Sequence, residues 1–227
     1  MQQGINTIVA PTSEAELMQR VEKISGLRLS ELASIMNVKM PPDLKRHKGW
    51  SGQLIEQCLG ASAGSKQIQD FPNLGIELKT LPLSHRMEPL ETTYVCYAPL
   101  LNNTGITWNS SSVRNKLSRV LWIPIQGERD IPLTDRVVGS GFLWAPNPQE
   151  DQLLQQDWEE LMDMISLGKI ERITAKTGQV LQLRPKAANG QALTSAVGEN
   201  GDMIQTRPRG FYLRKHFTFN LLQSVFY

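Results

Sequence analysis

The chain has 227 residues, of which 40% are hydrophobic, and a formal net charge of +2 at pH 7. This size allows one large domain or two small lobes around a real core. The sequence has no run of about 18 apolar residues and no basic-then-apolar secretion signal at its N-terminus, so we expect a cytoplasmic protein without a membrane span. Cys58 and Cys96 are too few for a disulfide framework, and we expect both to be buried thiols.

Three helices are predicted before residue 60. Ser13 and Glu16 form a capping box, and apolar residues follow at helical spacing. A short second helix is predicted at 30–36. The third spans 50–59 and ends at Gly60, because a glycine after the last apolar residue is a common helix stop.

Strands alternate with helices in the middle of the chain, and a long helix opens the last third. Asn147-Pro148 is a typical helix start, and that helix is expected to end at Gly168. The fold class is therefore α/β. The remaining predicted elements are strands at 74–81, 92–98, 121–125 and 180–183, helices around 113–120 and at 191–197, a short segment at 210–213, and a final aromatic-rich helix.

Charge is distributed unevenly along the sequence. Residues 149–163 contain six acids and no base, whereas residues 172–227 contain eight Lys or Arg and two acids, a local charge of 8 − 2 = +6. A basic surface of this kind suits the phosphates of a nucleic acid, with the acidic helix pointing elsewhere.

The segment DFPNLGIELK, from Asp70 to Lys79, carries the most chemical information. In an alternating strand Glu77 and Lys79 lie on one face, and the turn at Pro72-Asn73 can fold Asp70 back beside Glu77. Two carboxylates suit Mg²⁺ completed by a phosphate, and a neighbouring lysine can orient a water for attack on phosphorus. An isolated D-x₆-E-x-K match is more often a solvated strand face, so its surroundings decide the interpretation.

Those surroundings resemble the MutH family of mismatch-repair endonucleases, within the restriction-endonuclease-like superfamily. The resemblance runs from about residue 12 to the C-terminus, and the ordered set of segments is far more specific than the superfamily motif. The segments that carry it are 45–50, 49–60, 61–66, 80–82, 90–93, 113–124, 157–164, 183–189 and 208–212.

The resemblance implies a restriction-endonuclease-like mixed β-sheet flanked by helices, with two lobes around a DNA-binding cleft. We expect one endonuclease domain over residues 1–227. Its N-terminal lobe, about 1–145, carries the acid-lysine motif, and its C-terminal lobe, about 146–227, carries the DNA-reading surface.

The catalytic assignments follow from the same resemblance. Asp70 and Glu77 would hold one or two Mg²⁺ ions, and Glu56, on the helix before the motif, would complete the metal shell. Lys79 would position water, and Lys116 would offset phosphate charge in the transition state. Lys48 is expected to contact DNA near the cut.

The DNA-reading residues are predicted after the strand at 180–183. A proline-braced turn carries Arg184, Pro185 and Lys186, and an arginine can grip guanine O6 and N7 with two hydrogen bonds. Lys186 is expected on a phosphate, although all three could instead form a generic basic loop. Tyr212 matches the family's tyrosine linked to sensing adenine methylation.

The implied activity is nicking of the unmethylated strand at hemimethylated GATC sites in double-stranded DNA, 5′ of the G, after activation by the protein MutL. One motif per chain suits a monomer that makes single-strand nicks. Two alternatives stay open, a dimeric restriction-type endonuclease that cuts both strands and a non-catalytic DNA-binding module.

Overall fold

The computed structural model describes residues 8–41, 49–64, 68–187 and 191–226. The chain forms two compact units, Met1–Leu90 with Ser118–Ala145 and Glu91–Leu117 with Pro146–Tyr227. The helices are α1 (Glu14–Ile24), α2 (Leu29–Ile35), α3 (Trp50–Leu59), α4 (Ser112–Leu117), α5 (Pro148–Ser166) and α6 (Lys215–Phe226), and the strands are β1 (Glu77–Leu83), β2 (Thr93–Tyr97), β3 (Val120–Gln126), β4 (Phe142–Trp144), β5 (Leu181–Pro185), β6 (Thr194–Val197), β7 (Met203–Thr206) and β8 (Arg209–Leu213).

The mixed α/β composition predicted from the sequence is confirmed. The restriction-endonuclease-like sheet and the cleft between two lobes stay predictions. Residues 91–117 belong to the second compact unit, although the sequence interpretation grouped them with the first lobe. In the described part of the chain, no helix combines the length and the apolar character needed to cross a membrane.

The first unit builds its core from three helices against a small sheet. The side chain of Ser13 accepts a hydrogen bond from the Glu16 backbone N–H, as the capping box predicted. Helix α3 ends at Gly60, whose φ of 80° is the left-handed conformation that favours glycine. The first helix begins as predicted, and the second and third predicted helices are confirmed to within a residue at each end.

The sheet of the first unit has the order β1-β3-β4. β1 and β3 run parallel, with Glu77 beside Val120 and Lys79 beside Trp122. β1 begins at residue 77, three residues later than predicted, because residues 72–75 form a turn. β4 is only three residues long and was not predicted.

The sheet of the second unit has β8 at its centre, between β2 and β5, and all pairs are antiparallel. Phe211 and Leu213 of β8 are buried, as are Leu181 and Leu183 of β5. Since side chains alternate along a strand, Tyr212 and Arg184 lie on the opposite face from these core residues.

The helix predicted at 191–197 is wrong. β6 instead pairs antiparallel with β7, so that Thr194 lies beside Thr206 and Val197 beside Met203. The spacing of Ala192, Leu193 and Ala196 fits a helix, but pairing with a partner strand overrides this weak local preference.

Candidate functional site

A turn brings Asp70 back to the start of β1. Phe71 N–H donates to the Ile76 carbonyl at 2.9 Å, and Gly75 takes a φ of 66° that glycine tolerates best. The returning chain lets Asp70 Oδ2 accept a hydrogen bond from Leu78 N–H at 2.8 Å. The predicted turn therefore forms, and it fixes the Asp70 carboxylate against the strand that begins with Glu77.

Glu77 and Lys79 lie on the same face of β1 and contact each other directly. Lys79 Nζ donates to Glu77 Oε1 at 2.6 Å. The side chains are only 3% (Glu77) and 13% (Lys79) exposed. This is not a solvated strand face, and the lysine compensates a carboxylate that would be costly to bury alone.

Glu56 lies on α3, which packs against β1 within the same unit. Its neighbours Leu54 and Ile55 are buried, whereas Glu56 itself is half-buried. Its predicted role in a metal shell stays a prediction.

The donor set of this region fits a hard divalent cation. Asp70 and Glu77 offer carboxylate oxygens, the ligand type that Mg²⁺ prefers, and the hydrogen bond from Leu78 N–H orients the Asp70 carboxylate. The burial of Glu77 provides the low-dielectric surroundings in which charge interactions are strong. The residues present are therefore chemically suited to the ion that the sequence predicts.

A second group of possible ligands lies at the other end of the parallel strands. Ligand atoms of His85, Glu128 and Asp130 are all within 4.8 Å of one another. They follow the last residues of β1 and β3, whereas Glu77 is the first residue of β1. From the sequence we expect His85 to be incidental, since the three histidines His47, His85 and His216 share no spacing typical of a metal site.

Of the two remaining predicted basic residues, one belongs to the second unit and the other lies outside the described residues. Lys116 is a half-buried residue of α4 in the second unit. Lys48 lies outside the described residues. Both roles stay predictions.

The outer face of the second sheet carries an aromatic–basic face, which we define as Tyr94, Tyr97, Arg184, Lys186 and Tyr212. The Tyr94 and Tyr212 rings meet edge to face at 5.3 Å between centroids. The Arg184 guanidinium lies 5.5 Å from the Tyr212 ring centre, and Lys186 Nζ lies 4.6 Å from the Tyr94 ring centre. The two predicted cations are thus each held over an aromatic ring, a favourable electrostatic arrangement.

Tyr212 is half-buried on this face, while Phe211 is fully buried on the opposite one. Core packing therefore falls to Phe211 and leaves the Tyr212 ring on the outer face. Burial raises the pKa of the Tyr212 hydroxyl, against the opposing effect of the Arg184 charge. The phenol consequently stays neutral at physiological pH.

Beside Arg184 lies a basic concavity of about 670 Å³. Two of its arginines serve the fold, since Arg214 donates to the carbonyls of Ala175 and Thr177, and Arg209 pairs with Glu171 at 3.3 Å. The residues that line it include Thr92, Arg184, Pro185, Arg209, Arg214 and Lys215.

Two residues that lie directly beside the aromatic–basic face were not predicted from the sequence. Gly210 lies beside Arg184 in the strand register, and a Cβ there would meet Tyr94 Cε2 at 2.8 Å. Thr92 Oγ1 accepts a hydrogen bond from Arg184 Nη1 at 2.7 Å. Only the strand pairing reveals either position, because Thr92 and Arg184 are far apart in the chain.

Known proteins are similar to this chain along nearly its whole length. A protein of Yersinia enterocolitica is 61% identical over 216 residues, which cover 95% of each chain. Proteins of Photorhabdus laumondii and Vibrio cholerae are each 58% identical, covering 98% and 96% of this chain and 99% and 98% of their own. All three bear the name DNA mismatch repair protein MutH.

The chain belongs to the MutH family. The MutH family model, described as a DNA mismatch repair enzyme, matches residues 59–157. That range includes Asp70, Glu77, Lys79 and Lys116. The resemblance to MutH found in the sequence is thereby confirmed, and the chain is a DNA mismatch-repair enzyme by family.

Proposed function

We propose that this protein is a Mg²⁺-dependent endonuclease that nicks the unmethylated strand of hemimethylated GATC sites, 5′ of the G, when activated by MutL. Membership in the MutH family supports the repair role. The acid-lysine arrangement supports hydrolysis of a phosphodiester bond. The monomeric state and the cytoplasmic location are part of the same proposal.

The observation that carries the proposal is the buried contact between Glu77 and Lys79 at the start of β1. Sequestering a carboxylate and an ammonium from water is costly, and a hydrophobic pair of similar volume is often as stable or more so. Charged groups held in such surroundings are candidates for chemistry. Asp70, held against the same strand by the turn, adds a second carboxylate.

In the proposed reaction each side chain has a distinct role. Asp70 and Glu77 would hold the cation, and Glu56 would support its shell. When bound, Mg²⁺ supplies Lewis-acid polarisation of the phosphate. Lys79 orients the attacking water, whose oxygen bonds to phosphorus as the bond to the leaving sugar oxygen breaks. Lys116 offsets the negative charge that develops on the phosphate.

The aromatic–basic face would read the DNA. Arg184 would pair with guanine through two hydrogen bonds, braced by Pro185, and Lys186 would hold a phosphate. Tyr212 would lie against the adenine of the strand being cut, where an N6-methyl group would clash with its ring. Lys48 would contact the backbone near the cut.

The test is incubation with Mg²⁺ and duplexes that differ only in GATC methylation. We expect nicking of the unmethylated strand, stimulation by MutL, and no nicking by Glu77→Gln. Equal cutting of methylated and unmethylated strands would contradict the methylation role. Early linear product from a supercoiled plasmid would instead favour a dimeric restriction-type enzyme.

A further inference from the structure

Arg184 is an exposed residue near the end of β5, yet its guanidinium contacts two residues from other segments of the chain. Nη1 donates to the hydroxyl of Thr92, the residue that precedes β2. The guanidinium also faces the Tyr212 ring of β8. A long side chain that would otherwise sample many rotamers therefore has one preferred direction.

These contacts leave Arg184 able to bind a base. A guanidinium has five N–H donors in a planar fork, and the Thr92 hydroxyl takes one of them. Two parallel N–H groups remain for an acceptor pair such as guanine O6 and N7. The hydrogen bond to Thr92 thus orients the guanidinium plane and leaves two parallel N–H groups able to bind a base.

We propose that Thr92 is a positioning residue for DNA recognition, which acts by holding Arg184 in its base-reading orientation. This inference rests on the proposed function of Arg184. Thr92 touches no base in it, and its whole effect passes through the arginine. The benefit is preorganisation, since a guanidinium already in place loses less freedom when DNA binds.

The experiment compares Thr92→Val, which keeps the shape but removes the hydroxyl, with Thr92→Ser, which keeps the hydroxyl. The readout is the ratio of Kd values for scrambled and GATC duplexes at one salt concentration, with Ca²⁺ replacing Mg²⁺ to prevent cutting. We expect Thr92→Val to lower this ratio about fivefold to tenfold, the size of one ordinary hydrogen bond after the exchange with water is counted. Thr92→Ser should keep the wild-type ratio.

A double-mutant cycle separates positioning from a merely structural role. In the Arg184→Ala background, Thr92→Val should cause no further loss, because the group it positions is gone. Thr104→Val, at an exposed threonine of the same unit, is the matched control and should behave as wild type. Thermal unfolding of each variant checks that the fold is kept.

An unchanged ratio in Thr92→Val would overturn the inference, as would an equal loss in Thr92→Ser or an additive loss in the double variant. Failure of the proposed function looks different. In that case the wild type would show no GATC preference, or Arg184→Ala would leave the preference intact.

Discussion

Glu77 and Lys79 occupy positions where burial alone would penalise the charge of each. Their contact at 2.6 Å offsets part of that penalty. The local motif could be recognised from the sequence because all its members lie within ten residues. Its burial could not, since β3 and α3, which pack against β1, come from elsewhere in the chain.

Replacing Glu77 with Ala should abolish nicking and spare DNA binding, because affinity comes mainly from phosphate contacts elsewhere. Nicking is measured with Mg²⁺ and binding with Ca²⁺. Glu88→Gln, on the exposed turn after β1, should nick as the wild type does. Nicking by Glu77→Ala at the wild-type rate would mean that the metal site has been misplaced.

Replacing Tyr212 with Ser should let the enzyme tolerate methylation that it normally rejects, because the ring that would clash with an N6-methyl group is removed. The measurement is the ratio of nicking rates on the unmethylated and methylated strands of one duplex. Tyr212→Phe keeps the ring and should keep the ratio. An unchanged ratio in Tyr212→Ser would move methyl sensing to Tyr94, the neighbouring ring of the same face, since Phe211 is buried on the opposite face.

At the scale of elements, the acidic helix α5 holds β5, the strand that carries Arg184. Asp157 is buried, and its carboxylate accepts hydrogen bonds from the N–H groups of Gln179, Val180 and Leu181 at 2.7, 2.6 and 2.7 Å. The sequence interpretation placed the acidic helix as a whole away from the phosphates and gave Asp157 no role of its own. Asp157 instead points into the fold, and it fixes where β5 begins.

Asp157→Ala should lower the free energy of unfolding by about 3 kcal/mol or more, because it leaves buried N–H groups without an acceptor. Asp157→Asn keeps one acceptor oxygen and should lose less. The exposed Asp163 of the same helix is the control, and Asp163→Ala should change stability by less than about 0.5 kcal/mol. Urea unfolding gives all three values, and equal stability of the two Ala variants would contradict this role.

Local signals in the sequence predicted the helices better than the strands. Caps at Ser13 and Asn147 and the stop at Gly60 mark helix ends without reference to the rest of the fold. Strand β4 and the β6–β7 hairpin depend on partners that local spacing does not reveal. For the same reason Arg184 could be found from the sequence, whereas Thr92, 92 residues away, could not.

At the scale of the whole molecule, charge is unevenly distributed, since the net charge is only +2 but the C-terminal quarter is strongly basic. Not all of its eight cations are equally available to DNA. Arg172 pairs with Glu199 at 2.6 Å, and Arg209 and Arg214 are engaged within the fold. We therefore expect fewer phosphate contacts than the charge count suggests.

The salt dependence of DNA binding tests this expectation. Each neutralised phosphate contributes about −0.9 to the slope of log K against log salt concentration, so eight contacts would give about −7. We expect a shallower slope, and Lys186→Ala should reduce it by about one on GATC and scrambled duplexes alike.

Arg184→Ala should instead lose about 1–3 kcal/mol of discrimination for GATC, the usual value of one good bidentate contact. Measuring both variants on both duplexes distinguishes the two kinds of contact. If both variants lost the same affinity for the GATC and the scrambled duplex, Arg184 would not be a base-reading residue.

The central place of β8 in its sheet has a consequence for synthesis on the ribosome. β2 is complete at residue 97, but its partner β8 ends at residue 213, which is 213 − 97 = 116 residues later. Because synthesis adds about 5–20 residues per second, β2 is made roughly 6 to 23 s before its partner strand is complete. β5 waits for the same strand. The surface that bears Tyr94, Arg184 and Tyr212 therefore cannot assemble on the nascent chain until nearly all of the protein has been made.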